Sequence, residues 1–310
     1  MSIIYKDQRD DKLFDSFTTL LNSNNPVWIA RYGGSDSDVY QMIKKTKRIN
    51  MQHINYIRQY NGFFCKDVNT ISSVVQKSIE EYLTSLNNAD LITICCAHYI
   101  DTFINQNFNP FVDTPITTYT FIESFEPFFK SFQIWGENKK ILVISPFSKT
   151  IQYQTQSERL DKILANKFKF PNCSFITYQT PITYNTDESI SEYFKNVTKE
   201  YNNWMELSQK MCEEINDLEY DIAFISAGIY TMNFGNFIKQ QGKKAIYIGG
   251  MLNVLFNIYG SRYDNKFFNN LVNKEYQVEV MDDFKDLIDN KSLFVKNEVF
   301  GAYMRMKGEN

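Results

Sequence analysis

The chain has 310 residues and 33 Lys and Arg against 36 Asp and Glu, a formal net charge of −3. That length is ample for a buried core, and the acidic balance argues against a nucleic-acid partner held by bulk electrostatics. No apolar run is long enough for a membrane span, MSIIYKDQRDDKLF lacks a signal-peptide pattern, and the five cysteines show no CxxC spacing, so the expectation is a soluble, cytoplasmic protein without a zinc knuckle or disulfide framework.

Taken in order, Leu13–Leu21 has the pattern of a short amphipathic helix, and Val27–Ala30 that of a strand after the break at Pro26. Arg31-Tyr32-Gly33-Gly34-Ser35-Asp36-Ser37-Asp38 follows, and Val39, Met42 and Ile43 resume at helical spacing. A strand, a Gly-rich turn and a helix start make an anion site, because free backbone N–H groups and the positive end of the dipole meet there. Residues 47–66 carry no clear period. Asn69–Leu86 is a helix with Ile71, Val74, Val75, Ile79 and Leu83 in register, and Leu91–Ala97 is a buried strand. Residues 101–115 form an Asn/Pro-rich loop, Ile116–Phe121 a strand and Glu123–Phe132 a helix with Pro127 as kink or first-turn residue.

Further on, Ile141–Ile144 is a strand closed by Ser145-Pro146-Phe147, Ser148–Leu164 a turn and a helix, and Ser174–Tyr178 another strand. A long helix spans Tyr201–Leu218. Asp221–Ser226, the Ala227-Gly228 turn, the helix Ile229–Gln241, Gly242 as its left-handed stop and the strand Ala245–Ile248 form a strand–helix–strand unit. Gly249-Gly250 opens a further helix, and 264–310 reads as helical pieces and a tail. Strands alternating with helices predict an α/β protein, Rossmann-like, with a mainly parallel sheet of six or seven strands flanked by helices. Nothing forces a second domain, so residues 1–310 are read as one, with a helical extension from about 264. In such sheets ligands sit beyond the carboxyl ends of the strands, where Gly228, Gly249 and Gly250 fall.

Several residues invite chemistry. Asp36 and Asp38, two apart, suit a Mn or Mg ion that bridges a diphosphate; equally, Ser35 or Asp36 caps a helix. Arg31 and Arg262 suit phosphate or a structural ion pair. Ser145 and its neighbours suit a sugar or ribose, or an ordinary strand-to-helix turn. No G-x-G-x-x-G and no G-x-x-x-x-G-K-[ST] occurs, which disfavours hydride transfer with NAD and excludes a P-loop. His53 and His98, the two histidines, sit in no legible triad or metal spacing.

Four collinear blocks, ARYGGSDSD (30–38), ILVISPFSKTIQYQ (141–154), YNNWMELSQKMCEEI (201–215) and DIAFISAGIY…QGKKAIYIGGMLNVLFNIYGSRY (221–263), resemble a family of glycosyltransferase-like proteins. Its blocks read R-[FI]-G-x-x-E, strand-plus-SPF or HPF turn, Trp-bearing helix and GAYG…GKKAIHLGG…LFGIKGKRW. The family is similar in plan to GT-D-type glycosyltransferases, whose R-F-G-D-G-E turn holds metal and diphosphate. The resemblance implies transfer of a sugar from a nucleotide-sugar donor, a UDP- or GDP-sugar, to a glycan or glycoprotein acceptor, in a protein whose oligomeric state is open. Arg31 and Gly33 match the turn, Asp36 replaces its Glu, and Gly34 stands where its first acid would be, leaving Asp38 to supply the second carboxylate. Tyr230 falls in the A-Y-G position and Tyr247 in place of the family's His. The resemblance thus implies a donor site of Arg31, Gly33, Gly34, Ser145, Gly228, Tyr230, Gly249, Gly250 and Arg262, with Asp36 and Glu123 as candidate catalytic acids. The alternative is a non-catalytic nucleotide- or sugar-binding protein on the same fold, which the missing acid at Gly34 favours. A third reading is another sugar-modifying transferase with a non-nucleotide donor.

Overall fold

The computed structural model describes residues 4–5, 10–33, 35–94, 116–120, 125–165, 168–183, 192–260 and 270–282. Its strands are β1 (Ile4–Tyr5), β2 (Val27–Tyr32), β3 (Leu91–Ile94), β4 (Ile116–Thr120), β5 (Lys140–Ser145), β6 (Ser174–Gln179), β7 (Ile222–Ile225) and β8 (Lys244–Tyr247). They form one eight-stranded sheet in the order β1-β4-β3-β2-β8-β7-β5-β6, and all neighbours run parallel. A parallel sheet covered on both faces needs strands apolar on both sides. β5 meets that demand: Ile141, Leu142, Val143 and Ile144 are all buried.

The helices described are α1 (Asp10–Asn22), α2 (Ser35–Thr46), α3 (Met51–Asn61), α4 (Ile71–Asn87), α5 (Phe125–Trp135), α6 (Ser148–Gln154), α7 (Ser157–Leu160), α8 (Glu192–Thr198), α9 (Trp204–Asn216), α10 (Tyr230–Gln240) and α11 (Met251–Leu255). Two cores separate them. On the first face Trp28, Ala30 and Tyr32 of β2 and Ala245 of β8 pack with α2, α3, α4, α9 and α10. On the second, Val27 and Ile29 of β2 and Ile246 of β8 pack with α1, α5, α6 and α11. Connections that step along the sheet toward β1 (β2 to β3, β6 to β7, β7 to β8) cover the first face. Those that step toward β6 (β1 to β2, β4 to β5, β5 to β6) cover the second. A single crossover hand produces this sorting, and right-handed is the rule.

α10 follows the pattern read from its sequence. Tyr230, Phe234 and Ile238 are buried on one stripe, and Gly242 closes the helix at φ 79, its N–H bonded to the Lys239 carbonyl at 2.9 Å. The helix lies against β2 so closely that a Cβ on Gly235 would stand 2.2 Å from the Trp28 ring. Trp28 is also held through its indole N–H, which donates to the Ser85 carbonyl and hydroxyl, each at 3.1 Å, and the Ser85 hydroxyl donates to the Met232 carbonyl of α10 at 2.6 Å.

Five stretches depart from the sequence reading. β1 was not anticipated; two residues carry no period. α3 occupies part of the stretch left unassigned. Its buried stripe is His53, Ile54, Ile57 and Asn61, so polar residues interrupt the apolar pattern, although Asn50 accepts from the His53 N–H as an N-cap and Gly62 closes the far end. The turn and helix expected over Ser148–Leu164 are instead two helices, α6 and α7, parted at Thr155-Gln156, where Gln156 is extended. The helix expected from Tyr201 starts at Trp204, because the Asn203 side chain caps it by accepting from Met205 and Glu206 N–H. Of the segment from 264 read as helical pieces, residues 270–282 run as a strap with one 3-10 turn, Lys274–Tyr276. The strap is tied by bridges Leu164–Val272 and Ile258–Val278 and by buried Asn257, whose side-chain amide donates to the Ile163 and Asn273 carbonyls at 2.9 and 2.6 Å. Among the described residues no helix is long and apolar enough to cross a membrane.

Candidate functional site

The chain leaves β2 toward the first face and leaves β8, its neighbour, toward the second. Where onward connections part in this way a crevice opens at the carboxyl ends of the strands. Arg31, the penultimate residue of β2, stands at that edge and is partly buried. Its guanidinium carbon lies 4.0 Å from the centroid of the Tyr247 ring, at the end of β8, and Nη2 donates to the Tyr247 hydroxyl at 2.8 Å. Cation–π attraction and a hydrogen bond on one partner fix the plane of the fork. On a third side the guanidinium reaches the turn after β8: a Cβ on Gly249 would come within 2.4 Å of Nη1. Gly249 also has φ 59, and its N–H is used by the Ile225 carbonyl of β7 at 3.0 Å. The space that the sequence reading reserved at Gly249 for a ligand is therefore taken by the Arg31 guanidinium.

The turn after β2 begins at Gly33, φ 112. Beyond it, Asp38 of α2 accepts a hydrogen bond from the Tyr56 hydroxyl of α3 at 2.7 Å. Burial first, and then that carboxylate, push the Tyr56 hydroxyl well above the usual tyrosine range. Tyr32 is buried, its hydroxyl accepts from Gln41 at 3.1 Å, and burial pushes its pKa up to about 12. These phenols remain neutral and hold α2 and α3 against the sheet. The described donor set does not by itself fit the Mn or Mg ion that the resemblance implies. Asp38 offers one carboxylate already engaged by Tyr56, and no group of three or more His, Cys, Asp or Glu able to hold a metal ion comes together among the described residues.

Other sequence candidates fall elsewhere. Gly228 lies at φ 56 in the turn after β7, and Gly250 precedes α11. Tyr230 is a core residue: it is buried, its ring packs against Trp204 and Phe234, and its hydroxyl pairs with Thr183 at 2.9 Å. Ser145 is buried, and its hydroxyl accepts from the Phe147 N–H at 3.2 Å, closing the strand-to-helix turn. Gly34, the Asp36 side chain, Glu123 and Arg262 lie outside the described residues.

Asp282, a residue the sequence reading passed over, sits on the first turn of α6. Buried, it accepts from the Lys149 N–H at 2.7 Å, the Thr150 N–H at 3.1 Å and the Thr150 hydroxyl at 2.5 Å. The first turn of α6, read as a sugar or ribose subsite, thus receives a carboxylate of the chain's own strap. A cavity of about 10 Å³ among α2, α3 and α4, lined by Val39, Ile57, Val75, Ser78 and Tyr82 among others, is sized for one water and holds no substrate.

No family model, curated protein or solved structure matches the chain.

Proposed function

We propose that this chain is a glycosyltransferase that takes a UDP- or GDP-sugar as donor and a glycan or glycoprotein as acceptor. One observation carries the reading: a guanidinium held in a fixed plane by Tyr247 at the carboxyl edge of β2 and β8, at the point where their onward connections part. A planar, permanently charged fork in that position recognises a diphosphate by paired N–H···O bonds and stabilises the charge that accumulates on a departing nucleoside diphosphate. Asp36 and Glu123 remain the candidates for deprotonating the acceptor. The second reading, a non-catalytic nucleotide- or sugar-binding protein, draws support from Gly34 in place of an acid and from the engagement of Asp38 by Tyr56.

Calorimetric titration of the full chain with UDP, GDP and their sugars, with and without Mn²⁺, tests both. Binding is expected to weaken at least about tenfold in Arg31→Ala, the loss of a charge-assisted hydrogen-bonding group, and less in Arg31→Lys. Turnover of a bound donor distinguishes the transferase from the binding protein. Absence of binding across the panel overturns both.

A further inference from the structure

The two edges of the sheet differ. β1 offers two residues, whereas β6, Ser174–Gln179, offers six and pairs on one side only, with β5. Phe175 to Tyr178 are partly buried and Ser174 and Gln179 exposed. The side chains of Tyr178 and Gln179 turn back to the protein, to Glu214 and to Pro146 and Asp282. None of the hydrogen bonds of residues 174–179 engages the outer backbone edge of β6. Proteins blunt such edges with charge, proline or bulges, but SFITYQ has no charged residue and no proline, and its pairing with β5 runs in unbroken register from Lys140–Ser174 to Ser145–Gln179.

We infer that β6 is a dimer interface, pairing antiparallel with β6 of a second copy of this chain across a two-fold axis at Thr177. A two-fold normal to the sheet keeps each residue on its own face, so residues brought opposite one another must be an even number apart and the central residue meets itself. Ile176 and Tyr178 face the first core and Phe175 the second. With the axis at Thr177, Thr177 faces Thr177 of the partner subunit, and Ile176 faces the partner subunit's Tyr178 on the other side of the sheet, twice by symmetry. Threonine pairs and aromatic–β-branched pairs are among the favourable cross-strand combinations, and no like charges oppose each other. An axis at Ile176 would instead set Ser174 against Tyr178 and lose both. Pairing of β6 with β1 of another copy would join two residues and leave an open, non-closing chain, so the closed dimer is the arrangement this edge fits. It joins two sheets into one and does not depend on the nucleotide-sugar reading.

Sedimentation of the full chain across a concentration series is the test. A reversible dimer is expected, and Thr177→Lys, which sets two cations face to face, is expected to weaken it at least about tenfold while leaving the circular dichroism unchanged. Opposed residues have Cα atoms about 4.5–5.5 Å apart, within disulfide reach. Thr177→Cys is therefore expected to cross-link on mild oxidation through position 177 of both copies, mapped by peptide mass, and this readout stands even if the lysine variant folds poorly. A chain that stays monomeric at every concentration overturns the inference. So does a dimer that neither responds to Thr177→Lys nor cross-links at 177, or slow amide exchange of β6 in the isolated monomer, which would mean that the chain covers this edge itself.

Discussion

Arg31 and Gly249 are 218 positions apart in the chain and act as one unit. The guanidinium occupies the volume that a Cβ at Gly249 would need, 2.4 Å from Nη1, and φ at Gly249 is 59, a conformation that costs an L side chain about 1 kcal/mol or more. Gly249→Ala therefore carries two penalties that do not share a remedy. Moving the guanidinium relieves the collision but leaves the backbone strain. The expected outcome is a loss of about 1–3 kcal/mol in stability, read by urea denaturation. On the proposed donor-site reading, nucleotide affinity should fall along with it, because the fork leaves the plane set by Tyr247. Unchanged stability would mean that the turn after β8 shifts freely, and that Arg31 is not wedged as described.

α10 shows how far an element could be read before its surroundings were known. Its stripe, its glycine stop and the flanking strands β7 and β8 follow from local pattern, since each is decided by residues within a few turns of one another. What local pattern cannot give is the neighbour. Nothing around Gly235 announces that Trp28, 207 positions earlier, lies against it at a distance that excludes a methyl group. The same holds at the site. The strand, glycine turn and helix start at β2 and α2 were legible, but the Arg31–Tyr247 contact, across 216 positions, and the seating of Asp282 on Lys149 and Thr150, across more than 130, are products of strand order. α3 was missed for a different reason: His53 and Asn61 on its buried face break the apolar period on which detection depends. Gly235→Ala separates the two levels experimentally. Helix propensity favours alanine over glycine by about 1 kcal/mol, whereas overpacking a rigid contact costs about 1–3 kcal/mol. Trp28 is tied through its indole N–H to Ser85, which is bonded in turn to Met232 of α10, so packing should win and chemical denaturation should show net destabilisation. A net gain would mean that α10 slides outward at little cost.

At the scale of the whole molecule, the two cores bury ionisable groups in their neutral forms, and that fixes how stability responds to alkali. Burial is the largest cause in each case. It pushes Cys173 and Cys212 up from 9.0 to about 12 and Tyr32 up from 10.0 to about 12, and it raises Tyr40, Tyr56, Tyr178 and Tyr220 as well. In the unfolded chain these thiols and phenols release their protons near pH 9 and 10; in the folded chain they keep them. Above pH 9 the unfolded state therefore binds fewer protons than the folded one, and stability declines as pH rises, by up to about 1.4 kcal/mol per pH unit for each group fully held back. Partial exposure reduces that figure for most of them. Lys244, whose pKa burial lowers from 10.5, works in the opposite sense, one group against seven among the described residues. The expected curve of denaturation midpoint against pH is level near neutrality and falls from about pH 9 onward, and the share of the tyrosinate absorbance that belongs to these five phenols appears in step with unfolding. A midpoint that holds level well above pH 10 would mean that water reaches these phenols and that the packing of α2, α3 and α9 on the first face is looser than the burial of Tyr32, Val39, Ile57 and Ile215 implies.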